Sequence, residues 1–167
     1  MKKIISAMAL MLVASCSAAE DKSISERASA DEVIMVANDD ADMDKAFVKA
    51  KTQLDTFLEA WRNPPAGTAD FSVKVGISEG ETTEYFWIAS LHEESGSFFG
   101  RVSNTPQLVS NVSQGQEIEF KKDEIVDWTY TKDGKMIGNF TACVLLKHEP
   151  EASRKEFQDA YGLECED

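Results

Sequence analysis

From Asp42 onward, Met43, Ala46, Phe47, Ala50, Leu54, Phe57, Leu58 and Trp61 fall on one side of a 3.6-residue period, and Asn63-Pro64-Pro65 ends the run. No other stretch constrains the fold so tightly. A helix with so wide an apolar stripe is stable only when that stripe is buried against a second layer. Asp40 or Asp42 can accept the free amide hydrogens at its start, and acids suit that end of the helix dipole. The stop follows because the residue before a proline is pushed out of the helical region. Phe57 and Trp61 on this stripe are therefore read as core, not as ligand contacts.

The second layer comes next in the chain. Phe71-Ser72-Val73-Lys74-Val75-Gly76-Ile77 alternates strictly, as a half-buried strand does, with Ser72, Lys74 and Gly76 on the second face. Glu79-Gly80 turns the chain into a strand from Thr82 to Leu91, apolar on both faces from Tyr85 to Ala89. Ser97 to Val102 is a third strand, broken at Asn104-Thr105-Pro106, and Glu117 to Phe120 is a short fourth. Gln107 to Ser113 carries no clear period. Ile125 to Tyr130 leads into Lys132-Asp133-Gly134-Lys135, a hairpin signal, because Asp-Gly accepts the positive backbone angles of a tight turn. Met136 to Leu146 reads as one long returning strand, bent at Gly138. Pro150 opens a last helix, Glu151 to Tyr161. The expected fold is α+β: one long N-terminal helix packed on a strongly bent, mostly antiparallel sheet that could close toward a barrel-like form, then a short C-terminal helix.

A chain of 167 residues, 43% hydrophobic, is the size of one domain with its own core. Its 17 basic and 30 acidic residues give a formal charge of -13. That balance excludes a grip on nucleic-acid phosphates, which depends on Lys and Arg, and opposes attraction to anionic headgroups.

The N-terminus carries an address. Met1-Lys2-Lys3 precedes the apolar run Ile4 to Val13, too short to span a bilayer but suited to a secretory signal. Val13-Ala14-Ser15-Cys16 then resembles the lipobox of bacterial lipoproteins, which implies cleavage before Cys16 and acylation of its thiol. The alternative is ordinary cleavage after Ala19. Residues 1–15 are thus expected as signal peptide, 16–41 as a polar, acidic lipidated tether, and 42–165 as the single domain. Within the tether, Val33 to Val36 is a short apolar run that could pair as an edge strand. The expected location is the bacterial envelope, with Ser17 after the cysteine favouring the outer membrane facing the periplasm. With Cys16 acylated, Cys143 and Cys165 remain as an even pair in an oxidising compartment, where a disulfide is expected. The alternative leaves Cys143 as a small core residue and Cys165 as a free thiol.

Phe71-Ser72-Val73-Lys74, Glu84-Tyr85-Phe86-Trp87, Phe99-Gly100-x-x-x-Asn104-x-Pro106, Gly115, Ile125-x-Asp127-Trp128, Asp133-Gly134 and Gly138-x-x-Thr141 together resemble the bacterial domain of unknown function 2314, the YegJ-like proteins. The resemblance spans about Asp42 to Leu146 and rests on the order and spacing of short motifs. It implies a fold and no established activity. A histidine is frequent in that family where this chain has Tyr85, which weakens a general-base or metal role for the position.

Chemistry-bearing patterns are few. His92 and His148 lie outside any ligand spacing, so no metal is expected. There is no phosphate loop, dinucleotide fingerprint or nucleophile elbow, and no cofactor is expected. Asp127-Trp128 is a carboxylate beside an indole, suited to the rim of a sugar or peptide pocket. On a strand the two side chains point to opposite faces, which favours Trp128 in the core and Asp127 receiving backbone hydrogen bonds. Asn104 reads as a turn residue bonding its own backbone. Lys74 and Glu84 read as a weak surface pair. The candidate binding residues are Glu84, Trp87, Asn104, Asp127 and Trp128. They fit a non-enzymatic, envelope-anchored interaction module with a periplasmic protein or the cell wall as partner. The alternatives are a small hydrolase of envelope polymers using Glu84 or Asp127 as acid/base, and a toxin-antagonising, immunity-like protein.

Overall fold

The computed structural model describes residues 41–165. The signal segment, Cys16, the tether and the run from Val33 to Val36 lie outside the described residues. The apolar stripe forms helix α1 (Ala41–Arg62), with Asp42 and Asp44 in its first turn and Met43, Ala46, Ala50, Leu54, Phe57 and Leu58 buried. Six strands follow: β1 (Thr68–Glu79), β2 (Thr82–Glu94), β3 (Ser97–Val102), β4 (Glu117–Phe120), β5 (Ile125–Lys132) and β6 (Lys135–Gly138). They make one sheet in the order β4-β3-β2-β1-β5-β6, with every pair antiparallel. β4 and β6 remain edges, so the sheet stays open and no barrel closes. Register shifts between Ala69 and Ser72, between Lys74 and Val75, and between Ala89 and His92 mark bulges, which bend and twist a sheet. Gly100 allows the β2–β3 approach, since a Cβ there would lie 2.7 Å from Ile88 and 2.8 Å from the Ala89 carbonyl.

One sheet face carries Val73, Val75, Phe86, Ile88, Phe98, Val102, Phe120, Ile125 and Trp128 into a core closed by α1. Phe57 is fully buried at its centre, 5.2 Å from the Trp128 ring and 5.9 Å from Phe71. Burying such a side chain contributes about 2–3 kcal/mol. The Trp128 indole is also tied polarly, its Nε1–H donating to the Ala50 carbonyl at 2.9 Å. Helix α1 and β5 are thereby tied together.

The expectation of one strand from Met136 to Leu146 is overturned. β6 ends at Gly138, and Phe140–Lys147 is a helix, α2. Gly138 sits at φ +83°, where a Cβ would lie 2.3 Å from the Trp128 carbonyl, and Asn139 follows at φ 55°. Two successive left-handed residues end the strand and turn the chain. A short apolar run has no period that separates a buried strand from a buried helix. Here Thr141, Ala142, Val144 and Leu146 are all buried, as a helix packed on several sides requires. The last helix, α3 (Glu151–Tyr161), lies where Pro150 placed it. Phe157 and Leu163 join Ala142 and Leu146 in a second apolar cluster, and a disulfide joins Cys143 to Cys165 across Cα atoms 5.5 Å apart.

Candidate functional site

Glu84 lies in the core face of β2 and is 1% exposed. Its Oε1 accepts the Gln107 N–H at 2.9 Å, and its Oε2 accepts those of Leu108 and Val109 at 2.8 and 3.1 Å. The segment between β3 and β4, which showed no period in the sequence, is an irregular loop pinned by this buried carboxylate and, at Ser110, by that of Glu79, which accepts the Ser110 N–H at 2.7 Å. Three convergent amides satisfy a buried acceptor that would otherwise be costly. Glu84 faces inward and does not meet Lys74, so the expected surface pair between them does not form.

Asn104 bonds a neighbouring strand instead of its own backbone. Its Oδ1 accepts the Trp87 N–H at 2.8 Å, while the Ser103 N–H donates to the Trp87 carbonyl at 2.8 Å. The side-chain amide thus stands in for the next backbone carbonyl just past the end of β3. Trp87, half-buried on the outer face, holds the Lys74 ammonium 4.6 Å from its ring centre.

Asp127 is fully buried beside the start of α2. Its Oδ1 accepts the N–H groups of Trp128 at 2.8 Å and Phe140 at 3.3 Å. Its Oδ2 accepts the Thr141 N–H at 2.9 Å and the Thr141 hydroxyl at 2.6 Å. The Thr141 oxygen in turn accepts from Lys74 Nζ at 2.6 Å. Asp127 therefore caps α2 from a different strand, supplying the acceptor that Asn139 does not. Burial pushes the Lys74 ammonium below its usual range, and the Asp127 charge partly opposes that.

The five candidate residues do not converge on one concave site. Trp87, Asn104 and Asp127 are linked through Lys74 and Thr141, whereas Glu84 and Trp128 belong to the covered face. Sequence reasoning missed Lys74 and Thr141 as a linked pair. The signal available was the threonine of Gly138-x-x-Thr141, which only a helix start brings back to β5. Around this line the outer face exposes Tyr85, 42% accessible, with His92 stacked on Phe99 at 5.1 Å and Arg101 nearby in register with Ala89. Among the described residues no three His, Cys, Asp or Glu gather as a metal set, and no helix is long and apolar enough to cross a membrane.

Residues 40–165 match the family model described as an uncharacterized protein conserved in bacteria, DUF2314. The chain belongs to the DUF2314 family. Uncharacterized protein YegJ of Escherichia coli (strain K12) is 36% identical to this DUF2314 chain over 116 residues, covering 70% of it and 74% of YegJ. The protein named "Putative ankyrin repeat protein NMB1133/NMB1171" of Neisseria meningitidis serogroup B (strain ATCC BAA-335 / MC58) is 29% identical over 89 residues. Those residues are 53% of this chain and 35% of the meningococcal protein. No solved structure matches the chain.

Proposed function

We propose that this DUF2314 protein is a non-enzymatic interaction module of the bacterial envelope, anchored by lipid at Cys16, whose outer sheet face around Tyr85 and Trp87 contacts another envelope protein. The observation that carries the reading is the division of labour between the two faces. Glu84 and Asp127, the carboxylates a hydrolase would need, are sealed from solvent and filled with fixed N–H and O–H donors. They hold a loop and a helix. The other sheet face is covered only in part, by Thr141 of α2 at Lys74 and Asp127 and by Phe47 of α1, 5.7 Å from the Tyr85 ring, and it leaves Tyr85, His92 and Arg101 exposed with Trp87 and Phe99 half-buried beside them. Exposed aromatics and arginine are the side chains enriched where proteins meet proteins. A match covering 35% of a longer meningococcal protein fits a module that recurs within larger chains.

Two experiments test the two halves. Full-length protein, captured from detergent-solubilised envelopes after cross-linking, should recover a partner that a Tyr85→Ala, Arg101→Glu variant of equal melting temperature loses. Equal recovery by both proteins removes the face from the proposal, and sedimentation with purified peptidoglycan in place of a protein partner redirects it to the wall. For the anchor, Cys16→Ser should move the protein from the membrane to the soluble fraction and abolish metabolic labelling with a fatty acid. Unchanged labelling defeats the lipid assignment.

A further inference from the structure

We propose that the cleft between the end of α1 and the splayed ends of β1 and β2 binds a neutral saccharide. The two strands leave their shared ladder at Val73 and Ile88, although β1 begins at Thr68 and β2 runs on to Glu94. Beyond that point each carries a bulge against its other neighbour, β1 between Ala69 and Ser72 and β2 between Ala89 and His92. A bulge bends the strand that carries it, and two side by side open the sheet. Extending the register sets Ser72 against Ala89, Phe71 against Ser90 and Asp70 against Leu91, and all six line the cleft. Trp61 and Pro64 complete the lining, and the space measures about 550 Å³, in the range of small-molecule sites. The lining includes none of the aromatics or Arg101 of the outer face, so this site stands apart from the interaction proposed there.

Backbone strain marks the same place. Asp70 and Ser90, one on each flank, take left-handed φ angles of 56° and 53°. Such angles are uncommon outside glycine, and residues held in them cluster at ligand-binding and active sites. The wall between them is aromatic and braced from behind. Phe71 stacks on Tyr130 at 4.9 Å. Trp61, half-buried although its stripe was expected to be core, leans on Phe98 at 6.1 Å. Rings held in this way lose little freedom when a ligand arrives. Their remaining surface suits the apolar C–H face of a pyranose.

The polar groups of the lining have capacity to spare. The hydroxyls of Ser72 and Ser90 and the indole N–H of Trp61 have no protein partner among the described residues. An indole N–H removed from water usually has one, as that of Trp128 does in the Ala50 carbonyl. Asp70 accepts the Thr131 hydroxyl at Oδ2, 3.1 Å away, which leaves Oδ1 able to accept another donor. Among the described residues no Lys or Arg lines the cleft, and Arg62, next to Trp61, is paired with Glu93 at 2.8 Å. An anionic ligand would meet the Asp70 charge without a compensating cation, and a cationic one would gain only that single exposed carboxylate. Hydroxyls that both donate and accept, carried on a ring with an apolar face, match what remains.

The test follows the backbone amides of Phe71, Ser90 and Leu91 and the indole N–H of Trp61 by NMR. It uses the ¹⁵N-labelled full-length chain in a polyoxyethylene detergent, which carries no sugar. Maltotriose, triacetylchitotriose and a neutral, strand-forming hexapeptide are titrated separately. Saturable shifts at these four signals with either trisaccharide, at a Kd of about 1 mM or tighter, support the proposal. Asp70→Asn combined with Ser72→Ala should weaken that binding about tenfold at an unchanged melting temperature, since each change removes one hydrogen-bonding group from the cleft. No saturable shift with either trisaccharide overturns the proposal. So does trisaccharide binding that the double variant leaves intact. Saturation by the hexapeptide alone overturns the saccharide assignment in favour of an extended peptide between the strands.

Discussion

Asp127 is the residue on which the most local structure depends. Its two oxygens accept three backbone N–H groups and one hydroxyl, drawn from β5 and from the start of α2. Removing it leaves several buried donors without an acceptor, each costing about 1–3 kcal/mol. Asp127→Ala should therefore lose about 3 kcal/mol or more in urea denaturation, and Asp127→Asn, which keeps one acceptor oxygen, should lose less. Equal losses would mean that packing, not acceptance, is what Asp127 supplies. Lys74 gives a second test, with a sign. The unfolded side chain titrates near its ordinary 10.5, and the folded one lower because burial disfavours the charge. Between those values the unfolded chain binds more protons, so the folded state gains stability as pH rises toward 10.5. Lys74→Met should remove that rise when denaturation midpoints are measured across the alkaline range. A rise that persists in Lys74→Met belongs to another group.

The element that departs most from sequence expectation is α2. Its apolar run could be buried equally well as a strand, and two features from elsewhere decide otherwise. Gly138 and Asn139 take left-handed angles against the Trp128 backbone, and Asp127 receives the first amides of the new helix. Gly138→Ala puts a Cβ into the Trp128 carbonyl and strains the backbone angle. It should cost about 3 kcal/mol, with faster hydrogen exchange concentrated at amides 140–147. Exchange rising evenly over the whole sheet would argue against this local role. By contrast α1, the Asp133-Gly134 hairpin and α3 were legible from the sequence. In each of them local period, proline or turn chemistry agrees with the burial the fold imposes.

At the scale of the molecule, two layers are fastened at one end. The sheet and α1 share a large core, while α2, α3 and the C-terminal segment form a smaller cluster around Leu146, Phe157 and Leu163. The Cys143–Cys165 disulfide closes that cluster with a sequence separation of 22. A loop of this length corresponds to about 3 kcal/mol in the chain-entropy model. Cys143→Ser with Cys165→Ser should therefore lower the melting temperature by about 10 °C. The same fall should appear in the unaltered protein under reductant. A fall under reductant that the double variant repeats in full would point to reagent effects beyond the bridge.

The sequence by itself determined the α+β class, the long helix and the antiparallel strands, while the family came from the resemblance of its motifs and the bridge between Cys143 and Cys165 stood beside a free-thiol alternative until the structure joined them. The class, the helix and the strands follow from periods and turn residues, which are local properties of a chain. Only the tertiary structure decided that the sheet stays open, that residues 140–147 are a helix, and where Glu84, Asn104 and Asp127 spend their polar groups. The last three are hydrogen-bond partnerships between residues distant in sequence: Glu84 with the loop at Gln107, Asn104 with Trp87, Asp127 with Thr141. A pattern of single residues carries no record of such partners.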